Sequence, residues 1–181
     1  MRMNARQLRE VEETELKGKL EKIKRNPIFF ILENVYDTYN VGGLFRLADA
    51  LAIEKMYLCG EMEIPPNSKI KKASIGTYKV VPWEYKKTAK EAIESLSQET
   101  RIIAVEQHPQ AVKYTKANYS IPLALVFGNE TSGVSEETLP LADQIVEIPM
   151  WGINKSLNVI VSAAIVSYWA IRSLIQDDFQ S

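Results

Sequence analysis

Leu123-Ala124-Leu125-Val126-Phe127, followed at once by Gly128-Asn129-Glu130-Thr131-Ser132-Gly133, is the most informative stretch of the chain. Five consecutive apolar residues without polar alternation are typical of a strand buried on both faces of a parallel sheet. The polar loop with its two glycines begins where that strand should end. Because ligands of open parallel sheets bind beyond the carboxyl ends of the strands, this junction is also a place to expect a site.

Similar apolar runs recur along the chain and alternate with segments of helical periodicity. The alternation predicts an α/β domain with a mostly parallel sheet. The predicted strands are 28–32, 55–59, 78–81, 101–106, 122–127 and 145–148. The predicted helices are 4–25, 41–51, 86–98, 135–141 and a last one that starts at Ser156, and residues 60–73 are predicted to be a long loop.

The composition is that of a folded domain. The chain has 181 residues, 46% of them hydrophobic, and a net charge of −1, which excludes a disordered protein. One cysteine excludes an intramolecular disulfide, and one histidine argues against a zinc site. The uncharged segment 156–171 is shorter than the roughly 20 residues of a spanning helix. We therefore expect a soluble, cytoplasmic protein with no metal and no membrane partner.

Charge is distributed unevenly. Residues 1–26 hold eight basic and five acidic side chains, a net charge of +3, whereas the remaining 14 basic and 18 acidic ones give −4. We predict a basic helical N-terminal extension over 1–26 and a main domain over 27–176. Polyanion binding depends on local charge, so the extension is a candidate nucleic-acid contact. The alternative is a solvated helix that packs through its apolar stripe of Leu8, Val11, Leu20 and Ile23.

Three polar loops follow predicted strands, at 33–40, 128–134 and 151–155. Common nucleotide and hydrolase signatures are missing from them. The sequence at 40–43 is not G-x-G-x-x-G, the loop at 128–133 lacks the lysine of a P-loop, and there is no G-x-S-x-G. The loops therefore do not match the common nucleotide-binding or serine hydrolase sites.

With their flanks, the three loops read NVYDTYNVGGLFRLADA at 34–50, LVFGNETSGVS at 125–135 and IPMWGINKSLNVIVSAA at 148–164. In this order they resemble the three motifs of the SpoU (TrmH) family of RNA ribose methyltransferases, in the SPOUT superfamily. The resemblance covers about residues 27–174, and KASIGT at 72–77 is a weaker match to a further family loop.

The resemblance implies a parallel sheet with helices on both faces and a C-terminal trefoil knot, a rare exception among protein folds. It also implies a homodimer that binds S-adenosylmethionine in the knotted loops and methylates a ribose 2′-hydroxyl in tRNA or rRNA. The last helix, apolar nearly all round, suits a dimer face.

The same resemblance implies two sets of site residues. The cofactor set combines glycine, whose backbone a ligand can approach closely, with apolar side chains suited to flank an adenine. Its members are Phe127, Gly128, Asn129, Ile148, Met150, Ser156 and Leu157.

The catalytic set is Arg46, Asn40, Glu130, Ser156 and Asn158. In the family the arginine that matches Arg46 is the catalytic centre, and a guanidinium suits an RNA phosphate. We expect it to act by positioning a phosphate and stabilising charge, because arginine rarely gives up its proton. Asn40 and Ser156 are also good helix N-caps, and Glu130 suits either the fixing of loop N–H groups or a direct role at the site.

Two alternatives use the same fold. A SPOUT enzyme can modify a nucleobase rather than a ribose, and a protein can keep the fold as an RNA-binding factor without turnover. The complete catalytic set argues against the second.

Overall fold

The core of the protein is a seven-stranded sheet in which every neighbouring pair of strands is parallel. The computed structural model describes residues 3–11 and 13–172. The order of the strands across the sheet is β3-β2-β1-β6-β4-β7-β5, which confirms the predicted parallel α/β fold. The strands are β1 Asn26–Glu33, β2 Ile53–Cys59, β3 Trp83–Lys86, β4 Arg101–Val105, β5 Val112–Lys113, β6 Leu123–Phe127 and β7 Gln144–Glu147.

Helices cover both faces of this sheet, as the family resemblance implies. The helices are α1 Ala5–Glu10, α2 Glu13–Leu20, α3 Thr38–Ala50, α4 Ser68–Ser74, α5 Ala89–Glu94 and α6 Val159–Ala170. Residues of α3 and α6 share one apolar cluster with Phe30 and Leu32 of β1, whereas α5 shares the opposite cluster with Ile31. Each face of the sheet at β1 is thus covered by helices, which explains the unbroken apolar run of this strand.

The order of the strands reverses between β1 and β6. From β1 the chain builds β2 and β3 on one side, and it later places β6, β4, β7 and β5 on the other. The loops that follow β1 and β6 therefore lie side by side at the carboxyl edge of the sheet. Such a reversal leaves a crevice where parallel α/β proteins bind ligands.

The predicted helix over 4–25 is wrong as one element, because the chain forms α1 and α2 instead. Val11 adopts an extended conformation between them (φ −64°, ψ 136°). The ammonium group of Lys79 donates to the carbonyls of Arg9 (3.3 Å) and Val11 (2.8 Å), which a continuous helix would use itself. This break lets both Val11 and Leu16 reach the core.

Several other predicted elements are corrected at their ends. Residues 77–79 form a 3₁₀ turn rather than a strand, and the strand comes later, as β3. The predicted helix 86–98 shortens to α5, because Thr88 accepts a hydrogen bond from the Glu91 amide and caps it there. The predicted loop 60–73 contains most of α4, and the predicted helix 135–141 is a 3₁₀ turn at Leu139–Leu141. The short edge strand β5 was not predicted.

The last helix begins at Val159, not at Ser156, and runs for twelve residues. In the part of the chain that the structure describes, no helix has the length and apolar character to cross a bilayer. The predicted domain boundary at 176 lies outside the described residues.

Close contact between α3 and α4 gives a test of this packing. A Cβ atom on Gly42 would lie 2.5 Å from the Ala73 Cβ and 2.9 Å from the Ser74 amide nitrogen. We expect Gly42→Ala to destabilise the protein by about 1–3 kcal/mol, as overpacked cores do. Gly18→Ala in α2, where a Cβ has nothing within 4 Å, should instead stabilise it by up to about 1 kcal/mol. Urea unfolding measures the free energy of unfolding of both variants. Equal changes relative to the parent would contradict this description of the α3–α4 contact.

Candidate functional site

A cleft opens at the carboxyl ends of β4, β6 and β7, beside the crevice described above. One wall is the loop after β6, and the other is formed by the segment that runs from β7 into α6. The lining residues are Val105, Glu106, Gln107, Phe127, Gly128, Asn129, Glu130, Thr131, Gly133, Val146, Glu147, Ile148, Met150, Lys155, Ser156, Leu157, Val159 and Ser162. All seven residues of the predicted cofactor set are among them.

The charge of the cleft lining is negative. Glu106, Glu130 and Glu147 contribute three carboxylates, and Lys155 contributes one ammonium group. The remaining lining is largely apolar or glycine. A cavity of this kind favours a ligand that combines an apolar body with positive charge.

The carboxylate of Glu130 joins the loop after β6 to the loop after β1. Its Oε1 accepts from the Asn40 side-chain amide (2.9 Å) and from the Asp37 backbone N–H (3.2 Å), and its Oε2 accepts from the Tyr36 N–H (3.3 Å). A negatively charged acceptor makes stronger hydrogen bonds than a neutral one. Glu130 therefore does fix loop N–H groups, while it also lines the cleft.

Asn40 extends this network to the last helix. Asn158 Nδ2 donates to Asn40 Oδ1 (3.0 Å), so Asn40 is held by Glu130 on its amide side and by Asn158 on its oxygen side. Asn40 is buried within α3 and is not the N-cap of that helix. The cap is Asp37, whose side chain accepts from the Tyr39 N–H.

Asn158 also marks the start of α6. The side-chain oxygen of Asn158 accepts from the Ile160 N–H (2.8 Å), which makes Asn158 the N-cap. Ser156 was expected to be that cap. It lies two residues earlier, where it is exposed and lines the cleft.

Asn129 shapes the loop after β6 from within. Its buried side-chain oxygen accepts from the amides of Thr131 and Ser132, and its amide donates to the Asn34 carbonyl at the end of β1 (2.8 Å). Gly133 closes the loop with a φ of +70°. In this conformation a side chain would be strained, so glycine is needed here.

Arg46 lies apart from the other members of its set. It is exposed on α3 between the buried Phe45 and Leu47, and it does not line the cleft. Among the described residues its guanidinium makes no hydrogen bond or ion pair with another side chain. The structure thus brings together Asn40, Glu130 and Asn158 by hydrogen bonds, with Ser156 on the same cleft, and places Arg46 on the exposed surface of α3.

Three glutamates near the site are absent from the predicted sets: Glu147, which lines the cleft at the end of β7, and Glu106 and Glu33. Glu106 follows β4 directly, and its Oε2 accepts from the Val134 N–H (2.9 Å). Glu33 ends β1, where it is buried and accepts from the Ser135 N–H (2.9 Å) and the Thr138 hydroxyl (2.6 Å). Both are acids at the carboxyl end of an apolar run, which is the signal that would have identified them.

Cys59 is not a nucleophile of this site. Burial raises the pKa of its thiol to about 12, and the negative charges of Glu33 and Glu91 add to the effect. The thiol therefore remains protonated near neutral pH. Only a thiolate is reactive, which excludes covalent catalysis through this residue.

By its fold and its cleft, the protein is a parallel α/β protein whose candidate ligand site is built from loops at the carboxyl edge of the sheet. Residues 27–168 match the model of the SpoU rRNA Methylase family, and the chain belongs to that family. The predicted family is thereby confirmed. The trefoil knot stays a prediction.

Named proteins support this assignment. The tRNA (guanosine(18)-2′-O)-methyltransferase of Escherichia coli is 31% identical over 145 residues, which is 78% of this chain and 61% of that protein. An AdoMet-bound rRNA methyltransferase from Sinorhizobium meliloti superposes with a TM-score of 0.77 at 25% identity, over 92% of this chain and 60% of that one. The TrmH/SpoU tRNA modifying enzyme of Aquifex aeolicus gives 0.77 at 26%, over 91% and 86%. The chain thus spans about three fifths of the first two proteins.

The contact between Asn40 and Glu130 can be measured directly. In a double-mutant cycle of Asn40→Ala and Glu130→Ala, we expect a coupling energy of about 1 kcal/mol in the free energy of unfolding, because the two side chains share a charge-assisted hydrogen bond. A matched cycle of Asn40→Ala with Lys90→Ala, on α5 across the sheet, should be additive. Urea titrations provide both values, and additivity in the first cycle would show that the hydrogen bond does not form.

Proposed function

We propose that the protein is an RNA 2′-O-methyltransferase that uses S-adenosylmethionine and methylates a ribose in tRNA or rRNA. The observation that carries the proposal is the joining of the family motifs through Glu130, which lines the cleft and hydrogen-bonds Asn40, itself bonded to Asn158. The names of the relatives point to the same reaction, since the E. coli protein is a tRNA 2′-O-methyltransferase and the S. meliloti structure contains AdoMet.

The cleft fits such a cofactor by its chemistry. The side chains of Phe127, Ile148, Met150 and Leu157 provide apolar surface for an adenine and a methionine chain. The excess of carboxylates in the lining suits a ligand whose sulfonium and amino groups are positive. When bound, S-adenosylmethionine would supply a methyl group attached to a positively charged sulfur.

The residues of this chain would orient the acceptor. Methyl transfer to a ribose would require this chain to hold the 2′-oxygen facing the methyl group and to let the hydroxyl proton leave. The neutral amide of Asn40, fixed by Glu130, and that of Asn158, fixed by Asn40, are preorganised to orient polar groups without rearranging. Arg46, charged and unpaired among the described side chains, would hold an RNA phosphate and stabilise the developing negative charge, and the proton would pass to that phosphate or to water.

Arg46→Ala tests the catalytic part of this proposal. We expect the rate of methyl transfer to fall about 10²- to 10³-fold, because one preorganised charge is lost. Arg46→Lys should recover little, since an ammonium lacks the planar fork that grips a phosphate. The measurement is single-turnover methylation of RNA at saturating cofactor, with Lys90→Ala as the charge-removal control.

Calorimetry with S-adenosylmethionine and thermal melting complete that experiment. Both variants should bind the cofactor and melt as the parent does, because Arg46 is exposed and outside the cleft. A near-normal rate for the alanine variant would contradict the assignment. Methylated ribose resists alkaline cleavage, so hydrolysis of the product separates ribose from base methylation, and absence of any cofactor binding would favour an RNA-binding factor.

The proposal specifies the RNA substrate as a tRNA or an rRNA. A cytoplasmic location is part of the same proposal, since the enzyme has to meet its RNA there.

We also propose that the N-terminal extension contributes to RNA binding. Exposed basic side chains suit that role, namely Arg6, Arg9, Lys22 and Lys24. Val11 and Leu16, by contrast, are buried in the core.

A homodimer is the further part of the proposal. Val161 and Tyr168 are 45% and 47% exposed, and their seven-residue spacing puts them on one side of the last helix. An apolar stripe on a helix whose other side is buried in the core is typical of an interface with a second copy.

Sedimentation at micromolar concentration tests the dimer. We expect a particle of twice the 20.5 kDa chain mass, and we expect Val161→Glu to produce the monomer because it would bury a charge at the interface. Val112→Glu, at a 38% exposed valine on the edge strand, is the matched control and should leave the dimer intact. A parent protein that sediments as a monomer would contradict the proposal.

A further inference from the structure

We propose that Tyr36 and Tyr39 form a stacking platform for an unpaired nucleobase of the RNA, next to the catalytic network. The inference rests on the proposed function and adds to it how the acceptor strand is held. It concerns two residues that none of the catalytic or cofactor roles above uses.

Exposure of the two rings is the first observation. Tyr36 and Tyr39 are 56% and 54% exposed, more than any of the other tyrosines in the chain. An exposed aromatic ring offers a flat surface, and every nucleobase has a π-face that can lie on one. Sequence-specific binding of RNA targets unpaired bases in this way.

Both tyrosines are held at the backbone while their rings remain exposed. The Tyr36 N–H donates to Glu130 Oε2 (3.3 Å), and the Tyr39 N–H donates to Asp37 Oδ1 (2.8 Å). Two exposed rings in a mobile loop would lose conformational freedom on binding, whereas rings on an anchored backbone lose less. The anchoring acid at Tyr36 is the same carboxylate that lines the cleft.

The position of Tyr39 relative to Arg46 suits a single nucleotide. The two residues are seven positions apart on α3, hence on the same side of the helix and about 10 Å apart along its axis. Asn40, which follows Tyr39, belongs to the catalytic network. A base on the tyrosine, its ribose beside the network and a neighbouring phosphate at the guanidinium fit this span.

The helix that packs on α3 is basic, which favours RNA over an apolar partner, while Asp37 between the two tyrosines is engaged as the N-cap of α3. Helix α4 packs against α3 at Gly42 and presents the exposed Lys69, Lys71 and Lys72, with no acidic residue in the helix. A surface that combines exposed tyrosines with cations is typical of sites for single-stranded nucleic acid. The occupant to which this surface is suited is therefore an unpaired stretch of RNA.

The test uses a short single-stranded RNA that carries one 2-aminopurine, whose fluorescence changes when the base stacks on a ring. We expect Tyr36→Ala and Tyr39→Ala each to weaken binding roughly tenfold, and Tyr36→Phe and Tyr39→Phe to bind within about twofold of the parent, since phenylalanine keeps the ring. Tyr85→Ala, at a 46% exposed tyrosine of β3, is the matched control and should bind normally. Cofactor binding should be unchanged in every variant.

Kinetics separate this inference from the proposed function. In methylation assays the alanine variants should raise KM for RNA far more than they lower kcat. If the parent methylates RNA but the alanine variants bind and turn over normally, the platform is wrong and the function stands. If phenylalanine variants lose as much affinity as alanine variants, the rings do not stack and the platform is equally overturned. If the parent neither binds S-adenosylmethionine nor methylates RNA, the proposed function itself fails.

Discussion

The carboxylate of Glu130 is the contact on which the geometry of the candidate site depends. It reaches from the loop after β6 to the start of α3, and through Asn40 to the start of α6. The start of α3 lies ninety or more residues from both of the other segments in the chain, and the parallel pairing of β1 with β6 brings it beside the loop after β6. Removing the acid would leave the amide of the buried Asn40 without its acceptor, which costs more than the bond itself contributes.

The sheet could be predicted because its signal lies in each segment alone. Runs such as Ile28 to Leu32 are too apolar for any position but the interior, and their alternation with helical segments leaves few arrangements other than a parallel sheet. The ends of the elements could not be predicted in this way. The break at Val11 depends on Lys79, which lies 68 residues further along the chain.

The site shows the same division. The cofactor set that the family resemblance implies lies together on the cleft, because its residues come from the end of β6 and the loop after it, and from the segment between β7 and α6. Its binding role stays a prediction. The choice between Ser156 and Asn158 as the cap of α6 was beyond local information, since both residue types cap helices well. The residue that caps the helix, Asn158, is also the one that hydrogen-bonds Asn40, 118 residues away. The acids Glu33 and Glu106 were overlooked because a charged residue at the end of an apolar run was read as part of the strand or of the loop.

The uneven charge around α3 bears on how the two proposed ligands, S-adenosylmethionine and RNA, would reach their separate sites. The cleft lining, with three carboxylates to one ammonium group, repels a polyanion, while α4, with its three lysines, repels a cation. In the proposed reaction, a positively charged methyl donor and a negatively charged acceptor strand would thereby be directed to different parts of the surface before any specific contact forms. The electrostatic field would thus keep the long RNA from competing for the donor's cavity, and discrimination between the two ligands would begin at a distance set by ionic strength rather than by shape.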